Sequence, residues 1–97
     1  MRVLVVEDDQ QLQNQVAEAL QTQGYVIDTA ADGEHAHYMA AVENYDLVIL
    51  DLGLPQLDGL TLLKRWRSEG LTFPVLILTA RDSWHDKVSG MDAGADD

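Results

Sequence analysis

The sequence predicts an α/β domain built on an open parallel sheet with helices on both faces. Three short apolar runs, at residues 3–6, 47–50 and 75–78, are continuous rather than alternating and are rich in β-branched residues. That pattern is typical of parallel strands that are covered on both faces. Segments with the three-to-four-residue spacing of a helix face separate these runs, so the predicted order is β-α-β-α-β-α-β-α.

The remaining strand and the four helices are predicted as follows. Residues 25–30 are the weaker strand candidate, which we expect at an edge of the sheet. The first helix ends at Gly24, the second follows Asp32, and the third stops before Gly70. The predicted face residues, helix by helix, are Leu12, Val16, Ala19 and Leu20; Ala36, Met39, Ala40 and Glu43; Leu60, Leu63, Trp66 and Arg67; and Trp84, Val88, Met91 and Ala95.

The composition narrows the class of protein. Hydrophobic residues make up 46% of the 97 residues, enough for a core, and without cysteine the chain has no disulfide, thiolate nucleophile or cysteine-based zinc site. Seventeen Asp and Glu against six Lys and Arg give a net charge of −11, which argues against binding to nucleic acid or to an anionic membrane. The apolar runs are too short for a membrane span or a signal peptide. We therefore expect a soluble, cytoplasmic, acidic domain.

Polar residues stand at the ends of three predicted strands. Glu7 and Asp8 follow the first strand, Asp51 follows the third, and Thr79 follows the fourth. In an open α/β sheet, ligands bind at the carboxyl ends of the strands, near the point where the strand order reverses. If the first and third strands are neighbours, Glu7, Asp8 and Asp51 converge on one small space.

Helix capping is the competing interpretation for an aspartate in this sequence. An Asp that precedes a helix accepts hydrogen bonds from the exposed amides of the first turn. We predict this role for Asp9, Asp32, Asp58 and Asp82. Capping does not account for Asp51, because an Asp that directly follows four apolar strand residues and precedes Leu52 starts no helix.

A bound cation is predicted at Glu7, Asp8 and Asp51. Two carboxylates ~5 Å apart repel each other by about 3 kcal/mol at an effective dielectric constant of roughly 20. Three carboxylates together need a counter-ion or a raised pKa, and no basic residue lies close to them in the sequence. An acidic site whose ligands are all oxygen atoms suits a hard ion such as Mg²⁺.

The segment that follows the third strand predicts phosphoryl chemistry at Asp51. Pro55 holds the preceding Leu54 extended, and Gly53 lets the backbone pass close enough for its carbonyl to face the ion. A cation here would bring a phosphoryl donor in line with Asp51, and carboxylates are an established class of nucleophile that forms aspartyl phosphates. Thr79 would offer its hydroxyl to such a phosphate.

Taken together, these motifs make the sequence resemble the receiver domains of bacterial two-component response regulators, over essentially the whole chain. The matching segments, in order, are Val5–Asp9, Asp51–Pro55 with Asp58-Gly59, Leu78–Arg81 and Gly94–Asp97. The pattern resembles the OmpR/PhoB subfamily, and residues 66–68 and 83–88 resemble its PhoP-type members in particular.

The resemblance implies a doubly wound sheet of strand order 2-1-3-4-5 and assigns roles to individual residues. Asp51 would be the phosphoacceptor, Glu7 and Asp8 the acidic pair, and Asp8 the direct ligand of Mg²⁺. The carbonyl of Gly53 would complete the coordination by the protein, and Thr79 would be the switch hydroxyl. The implied partners are a sensor histidine kinase and, through a separate winged-helix output domain, DNA.

The resemblance also implies parts that this chain does not contain. In the family, a fifth strand with a switch aromatic and a phosphate-contacting lysine, and then a fifth helix, follow the match to Gly94–Asp97. We therefore expect residues 1–97 to form one receiver domain that ends before these parts. Without a fifth strand, residues 75–78 would form an exposed apolar edge, and such edges pair with other chains. Self-association through that edge is a further expectation.

Two other classes of function are weaker interpretations. A small Mg²⁺-dependent phosphatase would also use Asp51 as its nucleophile, but it would need a second acid two residues later, where Gly53 stands. A nucleotide-binding α/β domain would need a glycine-rich turn after the first strand, where Glu7, Asp8 and Asp9 would repel a phosphate. We therefore expect a phosphoacceptor switch rather than an enzyme that acts on a separate substrate.

Overall fold

The computed structural model describes residues 1–78 of the chain, and the predicted fourth helix, its Asp82 cap and Thr79 lie outside the described residues. The elements alternate as β1 (Arg2–Val6), α1 (Gln10–Gln21), β2 (Val26–Ala30), α2 (Gly33–Val42), β3 (Leu47–Asp51), α3 (Gly59–Ser68) and β4 (Val75–Leu78). Each strand agrees with its predicted bounds to within one residue at either end. Of the helices in residues 1–78, none is long and apolar enough to cross a membrane.

The four described strands form a parallel sheet in the order β2-β1-β3-β4, which matches the first four positions of the order 2-1-3-4-5 that the resemblance implies. β1 and β3 are neighbours, and Val6 stands opposite Leu50. The next residues along the two strands, Glu7 and Asp51, therefore leave the sheet side by side at its carboxyl end. This register is what makes a shared site possible.

Each face of the sheet has its own core, because successive strand residues point to opposite faces. The larger core joins the strands to α2 and α3, and Trp66 is fully buried in it, edge-on to Phe73. The smaller core joins Val3, Val5 and Ile49 to apolar residues of α1. Helices thus cover both faces of the sheet, as the sequence predicts.

The packed face of α1 includes two of its predicted residues, Val16 and Leu20, which contact the smaller core, and it extends beyond the predicted face. Gln13 and Ala17 are buried and Leu20 is half-buried, whereas Ala19, a predicted face residue, is exposed. Residues 13, 17 and 20 follow the i, i+4, i+7 spacing of one helix face, so a glutamine occupies a position where the pattern leads us to expect an apolar residue. Glu43, predicted for the face of α2, is exposed and lies just past the end of that helix.

Three helices begin at aspartates that cap them, as predicted. Asp9 Oδ1 accepts hydrogen bonds from the backbone N–H groups of Gln11 and Leu12, at 3.0 and 3.2 Å. Asp32 caps α2 and Asp58 caps α3, each accepting a backbone N–H at 2.8 Å. These bonds satisfy amides that a helix leaves without partners in its first turn.

A polar network ties the strands together at the amino end of the sheet. Asp28 Oδ2 accepts hydrogen bonds from Arg2 Nε at 3.0 Å and from Tyr45 Oη at 2.8 Å, and the backbone N–H of Arg2 donates to Asp46 at 2.8 Å. Burial and the bond to Asp28 raise the pKa of Tyr45. Arg2, the basic residue of β1, is therefore engaged at the end of the strand opposite to Glu7.

Among the strands of residues 1–78, β4 is an edge strand, and Leu76 on this strand is 38% exposed. The predicted self-association through this edge stays a prediction.

Replacing Asp58 by Ala is expected to lower the free energy of unfolding by about 1 kcal/mol, because alanine leaves the backbone amide of Thr61 without its capping partner. The Asp58 carboxylate bonds both the N–H and the hydroxyl of Thr61, at 2.8 and 3.0 Å. Asp58→Asn keeps a capping oxygen and is the matched control, expected to lose no more than about 0.3 kcal/mol. Urea unfolding followed by circular dichroism measures both losses, and equal losses in the two variants would contradict the capping role.

Candidate functional site

Three carboxylates meet at the carboxyl ends of β1 and β3. One carboxylate oxygen from each of Glu7, Asp8 and Asp51 (the acidic cluster) lies within 4.8 Å of the others. Glu7 and Asp51 are 3% and 7% exposed, whereas Asp8 is exposed to solvent. The structure therefore brings together the three acids that the sequence places at adjacent strand ends.

The backbone around Asp51 is held close to the start of α3. The N–H of Gly59 donates to the carbonyl of Leu52 at 3.2 Å. A Cβ at residue 59 would overlap the carbonyl oxygen of Asp51 and come within 2.8 Å of the Leu52 Cα, so this close approach requires a glycine. Gly59 thereby fixes where the chain turns after Asp51.

The carboxylate of Asp51 is oriented by the segment that follows it. Its Oδ1 accepts a hydrogen bond from the backbone N–H of Gly53 at 3.0 Å. Leu54, next in the chain, is buried in the larger core and anchors this segment. A Cβ at Gly53 would lie 3.7 Å from the Asp51 carboxylate, an ordinary contact, so the space around residue 53 does not itself require a glycine. The metal-ligand role of the Gly53 carbonyl stays a prediction.

Glu7 is held by its backbone and by its side chain. Its N–H donates to the carbonyl of Ala30 at 3.0 Å, which continues the pairing of β1 with β2 by one residue. Its Oε1 accepts a hydrogen bond from the backbone N–H of Asp9 at 3.2 Å. Since Asp9 caps α1, the first turn of that helix is tied to the acidic cluster.

The electrostatic environment disfavours the ionised form of Glu7. Burial, a hydrogen bond with Asp51 and repulsion from the charges of Asp51 and Asp8 raise the pKa of Glu7 to about 7, in spite of the stabilising Asp9 N–H. Within residues 1–78, no ion pair reaches any of the three acids, and Arg2 pairs instead with Asp28 and Glu43. The cluster therefore carries negative charge that this part of the chain does not balance.

The donor set fits a hard divalent cation. Three carboxylates, two of them buried and without a cationic partner within residues 1–78, offer only oxygen ligands, and the exposed Asp8 leaves one side open to water. Mg²⁺ takes oxygen ligands from one or two carboxylates and keeps several waters. The acidic cluster has the chemistry and the open side that such an ion requires.

One residue next to the cluster was not predicted from the sequence. Gln13 of α1 is buried, and its side-chain amide donates to the carbonyl oxygens of Glu7 and Ala30, at 3.0 and 3.2 Å. The sequence did contain a signal for this role, because Gln13 shares a helix face with Ala17 and Leu20. A polar side chain buried on such a face needs specific hydrogen-bond partners. Thr79, the predicted switch hydroxyl, lies outside the described residues.

The fold and the site define an α/β domain with three carboxylates grouped at the carboxyl ends of adjacent parallel strands. The family model for the response regulator receiver domain matches residues 3–97. Among curated relatives, the two-component response regulator PhoP of Pseudomonas aeruginosa is 48% identical, and the transcriptional regulatory protein PmrA of Pectobacterium parmentieri is 53% identical, each over 97 residues. The chain belongs to the response regulator receiver family. It is covered completely in both comparisons, and it spans 43% and 44% of the length of these relatives.

Solved structures show the same fold. A putative response regulator from Chloroflexus aurantiacus is 38% identical with a TM-score of 0.94, covering 99% of this chain and 80% of that one. The response regulator TrrA from Thermotoga maritima, solved in complex with Mg(2+)-BeF, is 37% identical with a TM-score of 0.87, covering 98% of this chain and 81% of that one. The doubly wound fold predicted from the sequence is thereby confirmed.

The raised pKa of Glu7 predicts that stability falls with rising pH. Glu7 retains a proton in the folded protein over a range in which the unfolded chain has lost it. This contribution is therefore complete below about pH 4.5, decreases as the pH rises, and is lost above about pH 7. The loss is on the order of 3 kcal/mol, since one pKa unit corresponds to about 1.4 kcal/mol.

Urea unfolding in EDTA buffers, from about pH 5 to about pH 8, measures this loss. The isosteric variant Glu7→Gln serves as the control, because it has no proton to lose, and its stability should fall less across the same range. Equal pH dependence in the unaltered chain and in Glu7→Gln would contradict the assignment.

Proposed function

We propose that this chain is the phosphoacceptor receiver of a two-component response regulator and that Asp51 is the residue phosphorylated. The observation that carries the proposal is the grouping of Glu7, Asp8 and Asp51 at the ends of adjacent parallel strands. Membership of the receiver family supports the same role. In this proposal residues 1–97 act as a switch and not as an enzyme for a separate substrate, because the transferred group stays on the chain's own Asp51.

The proposed reaction moves a phosphoryl group from the histidine of a sensor kinase to Asp51. A carboxylate oxygen of Asp51 forms a bond to phosphorus, the bond between phosphorus and the histidine nitrogen breaks, and that nitrogen leaves with the electron pair. The N–H of Gly53, 3.0 Å from Asp51 Oδ1, orients the carboxylate. The product is an aspartyl phosphate.

Mg²⁺ is the cofactor in this proposal. Glu7, Asp8 and Asp51 would hold it together with the backbone carbonyl of Gly53, and Asp8 is the proposed direct ligand that solvent reaches. When bound, the ion supplies positive charge that offsets the charge on the phosphoryl oxygens and on the carboxylates. The Mg(2+)-BeF complex of the TrrA relative supports this choice of ion.

Thr79 is the proposed switch hydroxyl. Leu78, the last residue of β4, pairs with Asp51 across the sheet, and Thr79 follows Leu78 directly in the sequence. A hydroxyl at that position would donate to an oxygen of the phosphate on Asp51. Strand pairing and sequence adjacency support this role.

The proposed partners follow from the same role. A cognate sensor histidine kinase would supply the phosphoryl group in the cytoplasm, and a DNA-binding output domain would control transcription. Relatives named as a two-component response regulator and a transcriptional regulatory protein support this proposal, and the chain spans less than half of their length. DNA contact is proposed only for the output domain, because a net charge of −11 opposes binding of DNA by this chain.

Incubation of the chain with Mg²⁺ and acetyl phosphate is expected to add one base-labile phosphoryl group, measured by mass spectrometry of the intact protein. Asp51→Asn is expected to abolish the label, because an amide is not a nucleophile for this reaction. Asp58→Asn, which alters an aspartate that caps α3, should be labelled like the unaltered chain. Undiminished labelling of Asp51→Asn, or no label on the unaltered chain, would contradict the proposal.

A further inference from the structure

Gln13 links α1 to the carboxyl ends of two strands beneath the acidic cluster. The residue is 5% exposed, and its Nε2 donates to the carbonyl oxygen of Glu7 at 3.0 Å and to that of Ala30 at 3.2 Å. Glu7 directly follows β1, and Ala30 is the last residue of β2. A single side-chain amide therefore joins three elements at the end of the sheet where the carboxylates lie.

The two hydrogen bonds match the donors that a glutamine has. Its NH₂ group carries two hydrogens, and each is directed at one backbone carbonyl. Ala30 O also accepts the N–H of Glu7 at 3.0 Å, so the backbone of Glu7 is held at its N–H by Ala30 and at its carbonyl by Gln13. Without Gln13, the carbonyl of Glu7 would lose this partner.

The Glu7 carbonyl bears directly on the position of Asp8. The peptide bond is planar, so the direction of the Glu7 carbonyl fixes the plane that contains the N–H and the Cα of Asp8. The Asp8 side chain is exposed, so packing constrains it less than it constrains the buried Glu7 and Asp51. Repulsion from both carboxylates pushes it outward. The peptide plane therefore fixes the position of the Asp8 Cα, from which the carboxylate extends toward the cluster.

We propose that Gln13 is a positioning residue for the cation site. It holds the peptide between Glu7 and Asp8 and thereby keeps the Asp8 carboxylate within reach of the ion that Asp51 binds. It acts through the backbone of Glu7, and its recorded bonds go to carbonyl oxygens rather than to the carboxylates. The inference rests on the proposed function and adds to it a residue on α1.

The variant Gln13→Met tests this inference, because methionine has nearly the same length but donates no hydrogen bond. Substitution of a residue that orients a metal ligand typically weakens metal binding by about 10-fold or more. We therefore expect the dissociation constant of Gln13→Met for Mg²⁺, measured by calorimetric titration, to be about tenfold higher than that of the unaltered chain. Gln15→Met is the matched control, because Gln15 lies exposed on the same helix, and its dissociation constant should be unchanged.

The free energy of unfolding of each variant, measured without Mg²⁺, separates positioning from general stability. A folded Gln13→Met protein that is less stable but binds Mg²⁺ as tightly as Gln15→Met would overturn the inference. A loss of Mg²⁺ affinity in the folded Gln13→Met protein, beyond any change in Gln15→Met, supports it.

A measurement on the unaltered chain does not depend on the folding of a variant. In nitrogen-15 spectra, the side-chain amide signals of Gln13 should shift during a Mg²⁺ titration with the same midpoint as the backbone signals of Asp8 and Asp51, while those of Gln15 stay in place. If the signals of Asp8 and Asp51 shift and those of Gln13 do not, the inference about Gln13 is overturned and the proposed function is not. No binding of Mg²⁺ by the unaltered chain would overturn the proposed function as well.

Discussion

Repulsion between three carboxylates is the constraint on which the functional end of this fold depends. Glu7 and Asp51 are buried, Asp8 is close to both, and within residues 1–78 no ion pair reaches them. Such an arrangement is unfavourable unless a proton or a cation neutralises part of the charge. Burial, the hydrogen bond with Asp51 and this repulsion together raise the pKa of Glu7 to about 7, so a proton supplies part of that neutralisation. The proposed cation site and the proposed reactivity of Asp51 both rest on this one arrangement.

The rest of the domain holds these charges in place. The parallel register of β1 and β3 sets Glu7 beside Asp51, and the apolar strands on either side are buried in two cores. Gly59 allows α3 to begin against the backbone of Asp51. On the other side, Asp9 and Gln13 tie α1 to Glu7 through its side chain and its carbonyl. Packing energy far from the site thereby offsets an electrostatic cost at the site.

Much of this could be predicted from the sequence, because its signals are local. Continuous β-branched runs predict covered strands, and an aspartate such as Asp58, placed before a helix, predicts a cap. An acid such as Asp51 directly after an apolar strand predicts a ligand site if the first and third strands are assumed to be neighbours in the sheet. The role of Gln13 could not be predicted, because its partners are backbone carbonyls that become adjacent only when β1, β2 and α1 have packed. The prediction that Ala19 is buried was wrong for a related reason. The buried face of α1 includes Gln13, and the spacing of apolar residues alone does not reveal a face that contains a glutamine.

The acidic cluster is proposed to bind a divalent cation that neutralises part of its charge. The most direct measurement is the free energy of unfolding near pH 8, where Glu7 is ionised, with Mg²⁺ and with NaCl at the same ionic strength. Mg²⁺ at about 100 times its dissociation constant should raise the free energy of unfolding by about 2.7 kcal/mol over the NaCl sample, and Asp8→Asn should show a much smaller rise. An equal free energy of unfolding in the two salts would contradict the account.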